Sequence, residues 1–185
     1  MGINMILETE RLIAKEYSIN ELNNYYLLQS NELVWRYSTN IVAKCKKDAK
    51  VKLLEVIDNY KREDIGFLAL YYKENSRFIG EAGILSFNKK AQRCEVGYNI
   101  LPEFWNQGYA SEITSGLVKY AFNTLQAERV EALVMEKDKA SCRVLEKSGL
   151  KLEGQLKHFS KVSNQYIDGF ADVLYYGVIK GEYAG

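Results

Sequence analysis

The stretch LPEFWNQGYASE, Leu101 to Glu112, decides how the chain is read. It holds the only proline, Pro102, and one of the two tryptophans, Trp105. Behind it runs RCEVGYNIL, residues 93–101, an apolar strand pattern. Ahead lies SEITSGLVKYAFNTL, where Ile113, Leu117, Tyr120 and Ala121 share one helical stripe that Leu125 continues. A strand therefore ends at a proline, a loop carries Gly108, and a helix begins near Ala110. The first turn of a helix offers unpaired N–H groups and a positive dipole end, and small residues let an anion approach them. The stretch is thus a candidate phosphate cradle. Gly-x-Ala before a helix is also an ordinary turn. Neither of the common phosphate-loop patterns, G-x-x-x-x-G-K-[ST] and G-x-G-x-x-G, occurs.

Upstream, RLIAKE (Arg11 to Glu16) reads as a strand. Ser18 and Glu21 have the spacing of a capping box opening the helix INELNNYYLLQSN. A second helix, DAKVKLLEVIDNYKRE, carries Val51, Leu54, Ile57 and Tyr60 at helical spacing. FLALYYK, RFIGEAGILSF and RCEVGYNIL follow as antiparallel strands, with turns at Asn75–Ser76 and Lys89–Gln92. Gly80, Gly83 and Gly97 inside them mark bulges or close backbone approaches. Downstream come a strand RVEALVME and a helix KASCRVLEKSG, with Val144 and Leu145 as core candidates and Gly149 as its C-cap. The strands LKLEGQLKHF and FADVLYYGVI close the chain. The fold class is α+β, a layered arrangement of early helices, a meander and a βαβ-like unit. With 185 residues and no repeat or linker, residues 1–185 form one expected domain.

A formal net charge of +1 gives no bulk attraction to nucleic acid or an anionic membrane. No apolar run reaches the ~20 residues that span a bilayer. MGINMILETERL has acids where a signal peptide needs basic and then apolar residues, and Ile6 stands where a myristoylation motif starting at Gly2 wants Ser or Thr. A cytoplasmic location is expected. Cys45, Cys94 and Cys142 are spaced too widely for a CxxC pair and read as free thiols. With His158 the only histidine, a zinc site is not expected. No G-x-S-x-G elbow accompanies it either, so it reads as a partly exposed strand or loop residue.

EVGYNILPEFWNQGYASE, then an amphipathic helix, a strand and DKASCRVLEKSGLKLEG, resembles the GNAT superfamily of N-acetyltransferases, in particular its RimJ/RimL branch. The likeness runs from ILETERLIAKE to ADVLYYGVI and is most specific from Glu95 to Gly154. It implies the GNAT fold, a mixed, mostly antiparallel twisted sheet flanked by helices, with two strands splayed around acetyl-CoA. The family's Q/R-x-x-G-x-G/A loop falls on Trp105 to Ala110, with Gly108 and Ala110 matching. The resemblance implies that the amides of Gln107, Gly108, Tyr109, Ala110, Ser111 and Glu112 hold the pyrophosphate. Trp105 replaces a usual Gln or Arg, so affinity is expected to rest on backbone donors with little side-chain charge, and Trp105 is expected to pack. The backbone of Asn99, Ile100 and Leu101 is expected to bond the pantetheine arm and the thioester carbonyl.

In the second family block, Asp138 stands for an asparagine that touches CoA, and it also suits a helix cap. Leu145 stands where many relatives have a general-acid tyrosine. The resemblance gives that task to Ser141, through a bond to the CoA sulfur. Without the family, Ser141 reads as a second N-cap candidate. Glu95 is the first candidate base and Glu81 the second, although either also suits a salt-bridged strand position. Cys142 beside Ser141 makes a covalent acetyl-cysteine route conceivable, but the family transfers directly within a ternary complex. The implied reaction is acetyl transfer from acetyl-CoA to a primary amine, with a protein N-terminus as the leading acceptor. The alternatives are a small-molecule amine (amino sugar, polyamine or antibiotic) and a non-catalytic acyl-CoA-binding module. The acceptor is expected to meet the early helices and closing strands, where Tyr25, Tyr26, Trp35, Tyr37 and Tyr166 lie. Related enzymes are often dimers, which suggests a homodimer here.

Overall fold

The computed structural model describes residues 6–63 and 65–184, so Gly2 lies outside the described residues. Eight strands form one sheet in the order β1-β2-β3-β4-β5-β6-β8-β7. They are β1 (Ile6–Glu8), β2 (Leu12–Lys15), β3 (Gly66–Tyr72), β4 (Arg77–Asn88), β5 (Arg93–Ile100), β6 (Arg129–Met135), β7 (Lys151–Ser163) and β8 (Asp168–Ile179). Four helices accompany them: α1 (Leu22–Gln29), α2 (Lys46–Glu63), α3 (Tyr109–Asn123) and α4 (Lys139–Lys147). Every pairing is antiparallel except β5 with β6, which α3 connects as a βαβ crossover. No described helix is long and apolar enough to cross a membrane.

The expected meander is β3-β4-β5, with turns where Asn75–Ser76 and Lys89–Gln92 were assigned. The short β1 was not foreseen. The Ser18–Glu21 capping box is absent. Residues Ile19–Glu21 form a 3-10 turn, Ser18 makes no side-chain cap bond, and the Glu21 carboxylate is drawn off by Asn24 and the Tyr71 hydroxyl. The α2 stripe is also displaced. Ala49, Leu53 and Tyr60 are buried, while Val51 and Leu54 face solvent. α2 carries apolar residues on two faces, so periodicity alone did not choose the inner one. In α3 the expected Ile113, Leu117 and Ala121 are buried, joined by Tyr109, Thr114, Val118 and Phe122.

α4 ends as its sequence requires. Gly149 takes φ +87°, its N–H donates to Glu146 O, and Leu150 N–H donates to Leu145 O. Both leucines are buried, which completes a Schellman motif with its apolar contact.

Two irregularities position the site. Ile79 is an extra residue in β4 opposite Leu70 and Tyr71, and Gly80 beside it takes φ +151°. A Cβ on Gly80 would lie 2.9 Å from Ile100 Cα and closer still to the Asn99 carbonyl oxygen. Only glycine lets β5 lie this near β4. Second, β5 and β6 pair only over Arg93–Glu95 with Arg129–Glu131. Beyond Glu95 both strands continue unpaired to each other, leaving a gap through the sheet.

Candidate active site

Opposite residues in an antiparallel pair share a face, and residues two apart along a strand do too. Glu81 pairs with Asn99 and contacts Tyr17, so Asn99, Gly97 and Glu95 share one face. Tyr98 points to the other, where its hydroxyl meets Ser141 of α4. Leu101 N–H donates to Ile79 O at 2.9 Å. Main-chain direction alternates along a strand, so Asn99 and Leu101 present their polar groups to β4, and Tyr98 and Ile100 present theirs to the gap. Of the three residues expected to bond pantetheine through their main chain, only Ile100 faces the gap, and its carbonyl accepts from Trp105 Nε1 at 2.7 Å. Tyr98, not foreseen, is the second residue directed there.

The cradle forms at the start of α3. Gly108 is the N-cap in the left-handed conformation, φ +82°, a geometry that favours glycine. The helix begins at Tyr109, one residue earlier than expected. Glu112 N–H donates to Gly108 O at 3.0 Å, so Glu112 is not a free donor, and the open amides end at Ser111. The Glu112 carboxylate is also occupied, accepting from Thr9 Oγ1, Arg11 N and Arg11 Nε. Burial pushes that carboxyl up, but the bonds from Thr9 and Arg11 outweigh it and hold it below the ordinary range. Arg11 Nη1 also donates to Gln107 O at 3.1 Å, and the guanidinium lies 4.5 Å from the Tyr109 ring centroid. The hairpin β1–β2 thus braces the cradle. Trp105 packs as expected, with the Arg36 guanidinium 4.9 Å from its ring centroid.

A cleft of 460 Å³ runs from this cradle to α4. Its wall includes Gly108, Tyr109, Ala110, Ser111, Asp138 and Ser141, and also Arg36, Arg143 and Lys147. Three cations from outside the loop thus share this cleft with the glycine-capped helix start, side-chain charge that the loop's own sequence does not carry. Arg143 and Lys147 are four residues apart on α4, a spacing that signals a shared face. Gln107 does not line the cleft. Its side chain donates to Glu103 O.

A second cavity of 470 Å³ passes through the gap. Val34, Tyr37, Tyr98, Asn99, Asp138 and Ser141 line both spaces. The second is walled by Trp35, Tyr37, Phe67 and Phe159, and its only charged lining residues are Glu95 and Asp138. At the junction, Tyr98 OH donates to Ser141 Oγ at 3.0 Å, and Ser141 Oγ donates to Asp138 Oδ2 at 2.8 Å. A carboxylate only accepts, which fixes the direction of this chain. Burial pushes the Tyr98 phenol well above its ordinary range. Asp138 Oδ1 accepts from Ser141 N, so Asp138 is the N-cap of α4 and Ser141 is not.

Glu95 is half-buried in the second cavity. Burial raises its carboxyl, Glu131 adds to the rise, and Arg93 opposes it. Glu81 lines neither space. It is 1% exposed and hydrogen-bonded by Tyr17 and by Asn99 Nδ2 at 2.8 Å, with no ion pair formed among the described residues. Burial lifts its carboxyl to about 7, against bonds from Asn99 and Tyr17. The native state therefore binds this proton more tightly than the unfolded chain. The stabilisation is complete below the ordinary carboxyl range and is lost as pH rises through about 7. Unfolding free energy from urea titrations should fall by up to ~3 kcal/mol between pH 5 and 8, and Glu81→Gln should flatten that slope.

Cys142 sits on the buried side of α4 and lines neither space, so a covalent cysteine route has no support. All three cysteines are free. His158 is exposed, stacked on Phe170, with its backbone N–H bonded to Asp172. No group of metal-ligating side chains is found among the described residues.

A splayed parallel strand pair joined by a helix with an open, glycine-capped start is the arrangement implied by the family resemblance. Residues 11–151 match the acetyltransferase (GNAT) domain family. The chain belongs to the GNAT acetyltransferases. The chain is 31% identical over 155 residues to YoaA of Bacillus subtilis (strain 168), described as an uncharacterized N-acetyltransferase, covering 83% of this chain and 87% of that one. The fold matches spermidine N-acetyltransferase of Vibrio cholerae, solved with CoA and spermine, at TM-score 0.80 and 16% identity, covering 95% and 99% of the two chains. It matches ribosomal-protein-S5-alanine acetyltransferase of Vibrio fischeri at TM-score 0.79 and 15% identity, covering 98% and 100%. GNAT acetyltransferases use acetyl-CoA, and the fold and the enzyme class are thereby established. The residues present suit that cosubstrate. Open amides from Gly108 to Ser111 and three cations line one cleft, a combination suited to an anion, and main-chain groups of β5 that no strand pairs border the gap.

Proposed function

We propose that the chain, acting as one cytoplasmic domain of the RimJ/RimL type, acetylates a protein N-terminal amine by direct attack within a ternary complex. The carrying observation is the gap through the sheet. It joins a cation-lined cleft on one side to an aromatic cavity on the other, whose charged lining residues are Glu95 and the helix-capping Asp138. In this reading the amides of Gly108, Tyr109, Ala110 and Ser111 bind pyrophosphate, assisted by Arg143 and Lys147. Ile100 N–H supports the developing negative charge on the thioester oxygen. Glu95, through water, takes the proton that the amine loses. Ser141, held between Tyr98 and Asp138, faces the departing sulfur.

Charge favours a peptide acceptor. A polyamine carries several cations and calls for several carboxylates. The acceptor cavity has Glu95 and the helix-capping Asp138 alone. A peptide N-terminus brings one cation followed by neutral amides. Thiol release with acetyl-CoA should be at least about tenfold more efficient for ribosomal-protein N-terminal peptides than for spermidine or amino sugars, a margin of ~1.4 kcal/mol. The same peptides with blocked N-termini should be inert. Preference for a small amine would replace the peptide assignment, which the likeness to a spermidine acetyltransferase makes the natural second reading.

A further inference from the structure

Thr114 Oγ1 is the one buried side-chain polar atom without a hydrogen-bond partner among the described residues. The side chain is 1% exposed, in the second turn of α3, among the apolar neighbours Ile113, Leu117 and Val118. It lines the cavity that passes through the gap, together with Val96 and Gly97 of β5 and Leu133 and Val134 of β6. A hydroxyl left unsatisfied in such a place costs about 1–3 kcal/mol, and valine would fill the same volume without that cost. A threonine within a helix often bonds its own preceding turn, and this one does not.

We infer that Thr114 is a binding residue for the pantetheine arm, its hydroxyl meeting one of the arm's two amides where they cross the gap. The inference rests on the acetyl-CoA site described above. Three observations converge on the contact. The gap is flanked by β5 main-chain groups that no strand pairs, so an extended, amide-bearing ligand suits it. α3 supplies the phosphate cradle at its first turn and Thr114 less than one and a half turns further on, so one ligand can reach both. The remaining wall at that depth is largely apolar, which makes the hydroxyl a specific polar marker inside the cavity.

The test is calorimetric binding to wild type, Thr114→Val and Thr114→Ser, using CoA and phospho-ADP, the CoA fragment that lacks the pantetheine arm. Thermal unfolding of each ligand-free protein is measured alongside. Thr114→Val should bind CoA about five- to tenfold more weakly, bind phospho-ADP as wild type does, and melt no lower than wild type. Thr114→Ser, which keeps the hydroxyl, should recover most of the CoA affinity. Equal CoA affinity in wild type and Thr114→Val overturns the inference and leaves the cofactor site standing. Parallel loss of both ligands, or a lowered melting temperature, also overturns it, because the residue would then be supporting α3. A wild-type protein that binds neither ligand removes the cofactor site together with the inference.

Discussion

Glu95→Gln should lower kcat about a hundredfold while leaving the KM for acetyl-CoA unchanged. The loss is the usual size for removing a general base. Glu95 lines the second cavity and not the cleft at the start of α3, where we place the phosphates, so cofactor affinity has no reason to move. The pH dependence separates this role from simple packing. The base works deprotonated, and burial first, then Glu131, raises its carboxyl above the ordinary range. Wild-type kcat/KM should therefore climb with pH through that raised value and level off. Glutamine does not titrate, so the residual activity of the variant should show no such limb. A variant within twofold of wild-type turnover would remove Glu95 from proton transfer and return the role to solvent. Glu81→Gln offers the contrast, since Glu81 lines neither space and its substitution acts on stability.

Gly80→Ala should cost ~3 kcal/mol or more and lower the melting temperature by about 10 °C. Two constraints coincide there. The backbone takes φ +151°, which a side chain rarely tolerates, and the added methyl would press on the Asn99 carbonyl and on Ile100 Cα at 2.9 Å. Both contacts are backbone of the neighbouring strand, so relief requires moving β5. Gly154→Ala is the control, with nothing within 4 Å of its added carbon, and it should be near neutral. The damage from Gly80→Ala should also reach cofactor affinity, because Ile100 borders the gap.

The meander, the crossover helix and the Gly108 cradle were legible because each is written locally, in turns, periodicity and a glycine before a helix. Asp138 as a cap was legible for the same reason. The inner face of α2 was only partly legible, because Val51 and Leu54 compete with Ala49 and Leu53 for the inner side, Val56 and Ile57 both pack against the core, and only tertiary contact decides. The site was half legible. The sequence brings Ser141 and Asp138 close, but Tyr98 joins them from 43 residues away through strand geometry. Its alternation with Asn99 along β5 was the available signal. Arg11 is 101 residues from the Glu112 it holds, and no local pattern connects them. Thr114 looks like any helical threonine until its hydroxyl is found buried with no hydrogen-bond partner among the described residues.

The far edge of the sheet has a consequence for colloidal behaviour. β7 is a 13-residue edge strand with almost every residue exposed, including Leu152, Leu156 and Phe159. A long flat edge of this kind invites another chain to add on and extend the ladder. Here the ladder is broken twice, by the extra Glu153 and by residues 157–159, which stand opposite Asp172 alone. Asp172 fastens the second break by accepting from His158 N and Gln155 Nε2, each at 2.8 Å. His158 is turned to φ +50° there, and Lys151, Lys157 and Lys161 carry charge along the strand. The breaks leave only short straight segments, so the lone histidine's bend acts as a guard against runaway sheet growth between molecules.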